Sequence, residues 1–474
     1  MRSASLLTLL PMILLSSAAL AEDDSSGALD QLLGNVGPLL EASEAYHSVE
    51  ESLDAPETLV LDLARCVDLA IAQNAQVLVA DTEVALRESQ TGQAQARRRP
   101  EVKAQWAYTY VDGLDQEIGR PVVQRLIGVD GYAPDKGTIT TGLTVTQILY
   151  AGGQIDAAIK ASQYLAASES WRAEAVRAEI AYQARTAYHD ALLAHAIVHV
   201  ANEALTVFER HLADTEALES EGVVTPFEVR RAQTEVGARR ADLASAEAAA
   251  QLADLNIRRL LALPDKQPLE YEQDLPHAVP DQDGATLKAT ALAQRPELRA
   301  LSDALAAGHQ QARAVKGKYL PQAAASLSWI NVENGGQVLP DGWQINVGAQ
   351  WDLYLGGQRK YEQGEVRARI SGLKLQHADL ERLVALDVEQ ALIRLHEGTV
   401  AMKTGQENVA LAAESVRLAK LRYQEGFGTQ TEIVDSALVH TQAKTALVQA
   451  IHDYYVAYAS LQKALGSDRV PAGE

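Results

Sequence analysis

Leu149-Tyr150-Ala151-Gly152-Gly153-Gln154 returns 204 residues later as Leu353-Tyr354-Leu355-Gly356-Gly357-Gln358. Outward from this pair the match runs on without a gap. Glu221-Gly222 with Thr225, Glu228 and Val229 returns as Glu425-Gly426 with Thr429, Glu432 and Ile433, and Leu260-Leu261-Ala262 returns as Ala464-Leu465-Gly466. Upstream the offset becomes 221, where Ala72-Gln73 and Pro100 match Ala293-Gln294 and Pro321. The change of 17 residues is one insertion in the first copy, between Pro100 and Leu149. Copying on this scale marks a duplicated structural unit, so each element has to be accounted for twice.

Each copy reads helix, strand, loop, strand, long helix, tip, helix. The first helix is expected from about Leu63 to Arg99, ending before Pro100, because proline disfavours helix at the residue before it. Its counterpart is expected from about Ala285 to Lys318. After each proline the apolar period drops to two. In Glu101 to Val111, Val102, Ala104, Trp106, Tyr108 and Tyr110 share a face. In Gln322 to Val332 the apolar face holds Ala323, Ala325, Leu327 and Trp329. Trp343 to Tyr354 alternates most cleanly, and Thr138 to Tyr150 less so.

Such alternation also suits a soluble sheet whose apolar face is covered. Three features favour lipid instead. Strands of about 11 residues span a bilayer when tilted. Trp106, Trp329, Trp343 and Trp351, four of the five tryptophans, lie in these strands, as expected of residues near headgroups. Nothing else in the chain supplies a covering layer. Four strands cannot close a barrel, and open edges are not tolerated in hydrocarbon, so the chain must oligomerise; three copies would supply twelve strands.

The Gly-Gly turns lead into helices running from Gln154 to about Ser220 and from Gln358 to about Tyr423, each roughly 100 Å long at 1.5 Å per residue. Returning helices of about 35 residues carry seven-residue seams. One runs through Val229, Ala232, Val236 and on to Ile257 and Leu260; the other runs from Ile433 to Ala464. A sustained heptad predicts left-handed supercoiling of each return helix on its long partner.

The N-terminus reads as an export signal: Arg2, an apolar run from Leu6 to Leu15, and Ala19-Leu20-Ala21 as a cleavage site. The chain therefore divides into a signal peptide (1–21), an acidic segment (22–60), the first repeat (61–270), a linker (271–284), the second repeat (285–466) and a tail (467–474). No later segment looks apolar and long enough for a transmembrane helix. The Gly-rich insertion from Asp112 to Lys136 is expected to be an extracellular loop. Of the 474 residues only Cys66 is a cysteine, so an intrachain disulfide and a thiolate metal cluster are excluded. A net charge of −21 argues against nucleic acid as a partner. It also suits a cation-favouring aqueous interior.

His195, His199 and Glu203 line one helix face near His189. With no second ligand set they read as a polar stripe rather than a metal site. There is no HExxH, Walker loop or nucleophilic triad, so the chain is not read as an enzyme, and no cofactor is expected.

Two copies, strand pairs ending in Leu-Tyr-x-Gly-Gly-Gln, long helices and Gly-x-x-x-x-x-acid tips together resemble the TolC-like outer-membrane efflux family, over about Leu61 to Gly466. The resemblance implies an α+β membrane protein: a homotrimer with a twelve-stranded outer-membrane barrel, four strands per protomer, continuous with a periplasmic α-helical coiled-coil tunnel. It further implies an export conduit of a tripartite efflux or type I secretion system, with a periplasmic adaptor and an inner-membrane pump as partners. On this resemblance Glu228, Glu432, Asp435 and Tyr423 fall at the periplasmic gate. Gly222, Val223, Thr225, Gly426, Gly428 and Thr429 fall at the adaptor-docking tips. Three symmetry-related copies of Glu228 and Glu432 would form rings attracting cations, although helix-start carboxylates are also favoured by the dipole alone. The chain departs from the family where Gly428 stands in place of an arginine that helps tie the gate, and where Phe227 replaces a small polar residue. The alternative is a periplasmic coiled-coil adaptor or scaffold that never enters lipid.

Overall fold

A computed structural model describes residues 58–110, 137–264, 267–272, 283–334, 337–338 and 341–466. The expected signal peptide, nearly all of the acidic segment, the 112–136 loop, most of the linker and the 467–474 tail lie outside them. In chain order the elements are β1 (Leu59–Leu61), α1 (Leu63–Gln73), α2 (Ala75–Ala96), β2 (Glu101–Tyr110), β3 (Gly137–Ala151), α3 (Gln154–Ser220) and α4 (Pro226–Leu260). Then come β4 (Leu269–Tyr271), α5 (Gly284–Gln294), α6 (Pro296–Gly317), β5 (Gln322–Asn334), β6 (Gln337–Val338), β7 (Gly342–Gln350), α7 (Gln358–Gln424) and α8 (Gln430–Leu465).

The single helices expected from Leu63 to Arg99 and from Ala285 to Lys318 are each broken in two. Asn74 accepts a hydrogen bond from the Gln76 amide at 2.9 Å and donates to the Leu260 carbonyl at 3.0 Å, so it caps α2 and ties it to the end of α4. Its counterpart Arg295 precedes Pro296 and takes an extended ψ of 120°. Its guanidinium bonds the Lys463 carbonyl at 2.9 Å and Asp387 at 2.7 Å. The two breaks coincide under the 221-residue offset, so the break belongs to the duplicated unit. A second unforeseen element is the small β1–β4 sheet, which the buried Tyr188 closes by donating its hydroxyl to the Leu61 and Glu272 carbonyls.

The four long strands form one antiparallel sheet in the order β2-β3-β5-β7, so the second strand of one repeat pairs with the first strand of the other. Ala104, Leu143, Trp329 and Trp343 stand in one row across it. Lys103, Thr144, Ser328 and Gln344 form the next row, on the opposite face. Thr144 Oγ1 and Ser328 Oγ are 3.2 Å apart within that polar row. Strand β7 ends at Gln350, not at Tyr354 as expected, because β5 begins at Gln322, opposite Gln350, and later residues have no strand to pair with in a single chain. Among the described residues, β2 and β7 leave their outer edges bare.

Both long helices span 67 residues. α4 packs on α3 and α8 on α7, as the heptad seams require, and α3 also packs on α8, joining the two hairpins. Val229, Ala232, Val236, Ala246, Ala250, Ile257 and Leu260 of the first seam are buried. On the second pair, Gly398 of α7 lies so close to α8 that an added Cβ would meet Tyr454 Cα at 2.9 Å. Beside it Leu287, Leu298, Val388, Leu395, Leu461 and Leu465 form a buried apolar core. The expectation that no later segment is apolar enough to cross a membrane needs correction, because α3 contains an 18-residue window of mean hydropathy 1.5. Its length and composition suit a span, and the same helix packs against α1, α2, α4, α6 and α8.

Candidate functional site

At the first tip, α3 ends with the Gly222 amide bonded to the Glu219 carbonyl (2.9 Å) and the Val223 amide to that of Leu218 (2.9 Å). Gly222 takes φ +75°, the left-handed geometry that closes a helix most cheaply with glycine. Thr225 then stands at the N-cap of α4, with Pro226 at its first turn. The second tip repeats the design. Gly426 has φ +78°, the Phe427 and Gly428 amides both reach the Arg422 carbonyl (2.8 and 2.9 Å), and Thr429 Oγ1 accepts from the Glu432 amide at 3.3 Å. The loop therefore folds back onto the end of α7. A Cβ at Gly428 would lie 3.0 Å from the Tyr423 amide nitrogen and 3.1 Å from the Arg422 carbonyl carbon. That crowding accounts for glycine where the resemblance leads one to expect arginine.

The expected gate residues are not equally placed. Glu432 is half-buried, with Oε2 3.6 Å from Arg422 Nη2, and Arg422 also donates to the Phe427 carbonyl at 3.3 Å. Glu228 is half-buried in a cleft with His211, Arg231, Gln430 and Thr431. Burial pushes the His211 imidazole below its ordinary pKa, against the pull of Asp214 and Glu228. Asp435 is exposed and Tyr423 half-buried. Val223 and the two tip phenylalanines, Phe227 and Phe427, are exposed by 66, 70 and 80%.

Sequence reasoning missed the residues that bind one hairpin to the other. Along α3 and α8 a series of polar pairs runs in antiparallel register. Glu179 meets Lys463, Asp190 meets His452 Nε2 at 2.7 Å, Glu203 meets Lys444 at 2.6 Å, and Thr215 accepts from Gln430 at 2.5 Å. The neighbouring Arg231 of α4 reaches Thr431 at 3.5 Å. Burial opposes a charged ring at His452, but hydrogen bonds to Asp190 and Asp453 outweigh it and hold the pKa above the ordinary value. At His440, burial and the nearby Lys444 push the other way. These pairs cross between the two halves of the duplication, so no pattern inside either repeat signals them. The histidine stripe resolves into separate contacts: His195 binds Asp254, which also accepts from Tyr271, while Glu203 takes both His199 and Lys444.

At the other end, Trp106, Trp343 and Trp351 are exposed by 69, 67 and 58% and Trp329 is half-buried. Trp106, Trp329 and Trp343 stand on the same face of the sheet. Trp351 lies just beyond β7 and donates to the Tyr319 carbonyl at 3.2 Å.

The model of the family described as outer membrane efflux protein matches residues 66–263 and 287–467, one match for each copy of the duplicated unit. The outer membrane efflux protein BepC of Brucella suis biovar 1 (strain 1330) is 24% identical over 336 residues, covering 69% of this chain and 72% of BepC. Among solved structures, CusC superposes with a TM-score of 0.73 at 17% identity, covering 88% of this chain and 96% of CusC. The outer membrane protein VceC of Vibrio cholerae superposes at 0.71 and 17% identity, covering 85% and 96%. Members of the family are trimeric channels that work with adaptor and inner-membrane pump partners. These relatives are channels and not adaptors, which sets aside the scaffold alternative. With both repeats matched and the sheet-and-stem fold shared, the chain belongs to the outer membrane efflux protein family and is an outer-membrane export channel, not an enzyme.

Proposed function

We propose that three copies form a passive conduit whose closed end is the ring of helical tips, opened when a periplasmic adaptor, coupled to an inner-membrane pump, contacts them. The observation that carries this reading is a sheet whose four long strands leave β2 and β7 with bare outer edges among the described residues, joined through Gly-Gly turns to helices of 67 residues. Bare edges in hydrocarbon demand closure by further copies. Helices about 100 Å long then continue the path across a broad aqueous gap.

Opening requires the α7–α8 hairpin to move against α3–α4, a two-state change biased by adaptor contact. The latch on this reading is the group of tip contacts joining Gln430 to Thr215 and Thr431 to Arg231, with Arg422 and Glu432 stiffening the second tip and Tyr423 packed beside Gly428. Glu228, Glu432 and Asp435 supply the acidic lining. Asp435, being exposed, contributes the charge least offset by a neighbour. Gly222, Val223, Thr225, Gly426, Gly428 and Thr429 form the turns the adaptor meets.

Purified trimer in a planar bilayer tests this. Wild type is expected to open rarely, and Gln430→Ala combined with Arg231→Ala is expected to raise the open fraction severalfold. Recovery of the chain from cells as a soluble monomer without detergent, or trimers that never conduct, would overturn the reading.

A further inference from the structure

We infer that the stem carries a binding site for a small carboxylate with an apolar body, in the cleft between Trp171 and Pro296. The cleft lies within one chain, so its test is separate from that of the conduit.

The cleft holds about 380 Å³. Its walls come from both repeats: α3 between Trp171 and Arg185, the α5–α6 break from Gln294 to Arg299, and the end of α8 from Gln462 to Gly466, with Ile71 of α1 completing it. Along α3 these residues stand roughly 25 to 47 Å from the Gly-Gly turn at 1.5 Å per residue, well into the stem. The repeats meet here because Arg295 breaks the helix before Pro296 and donates to the Lys463 carbonyl at 2.9 Å, holding the break against α8.

In a chain of net charge −21 this lining is cationic, with Arg177, Arg185, Arg299 and Lys463 against Glu174. Arg177 is engaged by Glu174 at 3.0 Å and by Asp81, and Lys463 by Glu179. Arg185 is only 9% exposed and gives the cleft a fixed, buried positive charge. Arg299 is different. It is exposed, and its described contacts are the Ala293 carbonyl at 3.1 Å and the Trp171 ring, whose centroid lies 4.8 Å from Cζ. Neither carries a charge to offset it, while the ring steadies the guanidinium. A guanidinium held in this way offers a fork of N–H donors that matches a carboxylate. Glu174 on the same lining disfavours a second negative charge, so a monoanion fits better than a doubly charged phosphate. Ile71, Ala178, Ala181 and Pro296 supply an apolar wall for the rest of the ligand.

The scaffold itself does not require these side chains. Moved by 204 residues, Trp171, Arg177 and Arg185 become Leu375, Glu381 and Glu389; moved by 221, Arg299 becomes Leu78. The other repeat builds the same helices with acids in place of two of the cations and leucine in place of the ring and the third. The charge and the aromatic wall therefore belong to one repeat alone, which is what a ligand site predicts and a packing requirement does not.

Titration of the purified protein in nonionic detergent tests this, with hexanoate as the probe, hexanamide as its uncharged match and inorganic phosphate as a bare anion. Hexanoate is expected to raise the thermal midpoint saturably, because a ligand touching α3, α6 and α8 binds only the folded stem. It should also change the emission of Trp171 in a protein carrying phenylalanine at the other four tryptophans. Hexanamide and phosphate should do neither. Arg299→Gln should weaken hexanoate binding by about tenfold or more, the loss of a charge-assisted hydrogen bond, and Arg299→Lys should recover part of it. Arg313→Gln, on α6 but outside the cleft, should leave it unchanged. An equal response to hexanamide or to phosphate, or hexanoate binding that survives Arg299→Gln, overturns the proposal. Binding that appears only once residues 467–474 are removed would give the cleft to the chain's own tail, and overturns it too.

Discussion

Arg422 Nη2 stands 3.6 Å from Glu432 Oε2 and within reach of the Phe427 carbonyl, so one side chain braces the second tip from helix to loop to helix. Arg422 is exposed and Glu432 half-buried, so solvent reaches both partners. A pair in such surroundings contributes about 0.5 kcal/mol to stability, too little to hold a channel shut alone. Glu432→Gln is therefore expected to leave thermal stability almost unchanged while loosening the tip, read as a rise of no more than about twofold in open fraction.

Charge selectivity separates the three acids. Asp435 is exposed, whereas Glu432 faces Arg422 and Glu228 lies beside Arg231. Asp435→Asn should therefore cut the cation preference most, seen as a smaller reversal potential in a potassium chloride gradient. Glu228→Gln and Glu432→Gln should each do less. Equal effects from all three would mean that the local cations do not matter.

Two glycines separated by one residue should fail for different reasons. Gly426 has open space but φ +78°, so Gly426→Ala costs about 1 kcal/mol through the backbone, and Gly426→Asn costs less. Gly428 meets the end of α7, so Gly428→Ala displaces that end by a few tenths of an ångström and Gly428→Arg does no better. Protease sensitivity at the tip reads both. If Gly428→Arg tightened the tip, the steric account would be wrong.

The duplication made most of the fold legible. It set the strand pairs, the Gly-Gly turns and the tips, because each of these repeats inside one chain and each has a local period or turn residue. Asn74 was missed although its cap on the Gln76 amide is local; only the bond that ties it to Leu260 comes from nearly two hundred residues away. Arg295 could have been caught from Pro296. The α3–α8 pairs were illegible for a different reason: Glu203 and Lys444 lie in different repeats, and only the packed hairpins bring them together. At the tip, family likeness pointed to position 428 for an arginine, while the side chain that braces the loop comes from 422, one turn back along α7.

pH should act on the seam between hairpins in opposite senses at its two ends. His452, packed from α3 by Asp190 and flanked on its own helix by Asp453, has a raised pKa. Its stabilisation is complete below the ordinary imidazole value of about 6.5 and is lost as pH climbs through the higher folded value. His440 and His211 have lowered values, so their neutral forms favour the folded state, and this contribution fades as pH falls below about 6.5. Comparing thermal midpoints, His452→Gln should differ little from wild type at alkaline pH and be clearly less stable under mild acid. A constant difference across that range would remove Asp190 and Asp453 as the cause.

Lipid contact of the sheet can be read from tryptophan emission. Trp171 alone lies in the stem, on α3 under the Arg299 guanidinium at 4.8 Å, while Trp106, Trp329, Trp343 and Trp351 belong to the sheet or its margin. Brominated acyl chains quench indoles within the bilayer and leave those in water or protein alone. Trp171→Phe should thus leave a spectrum that brominated lipid quenches by more than half, the half-buried Trp329 losing least. The complementary variant, keeping Trp171 and carrying phenylalanine at the other four positions, should be indifferent to bromination. Quenching of that second protein would place the stem in lipid, and the apolar window of α3 would then be a span rather than a packing surface.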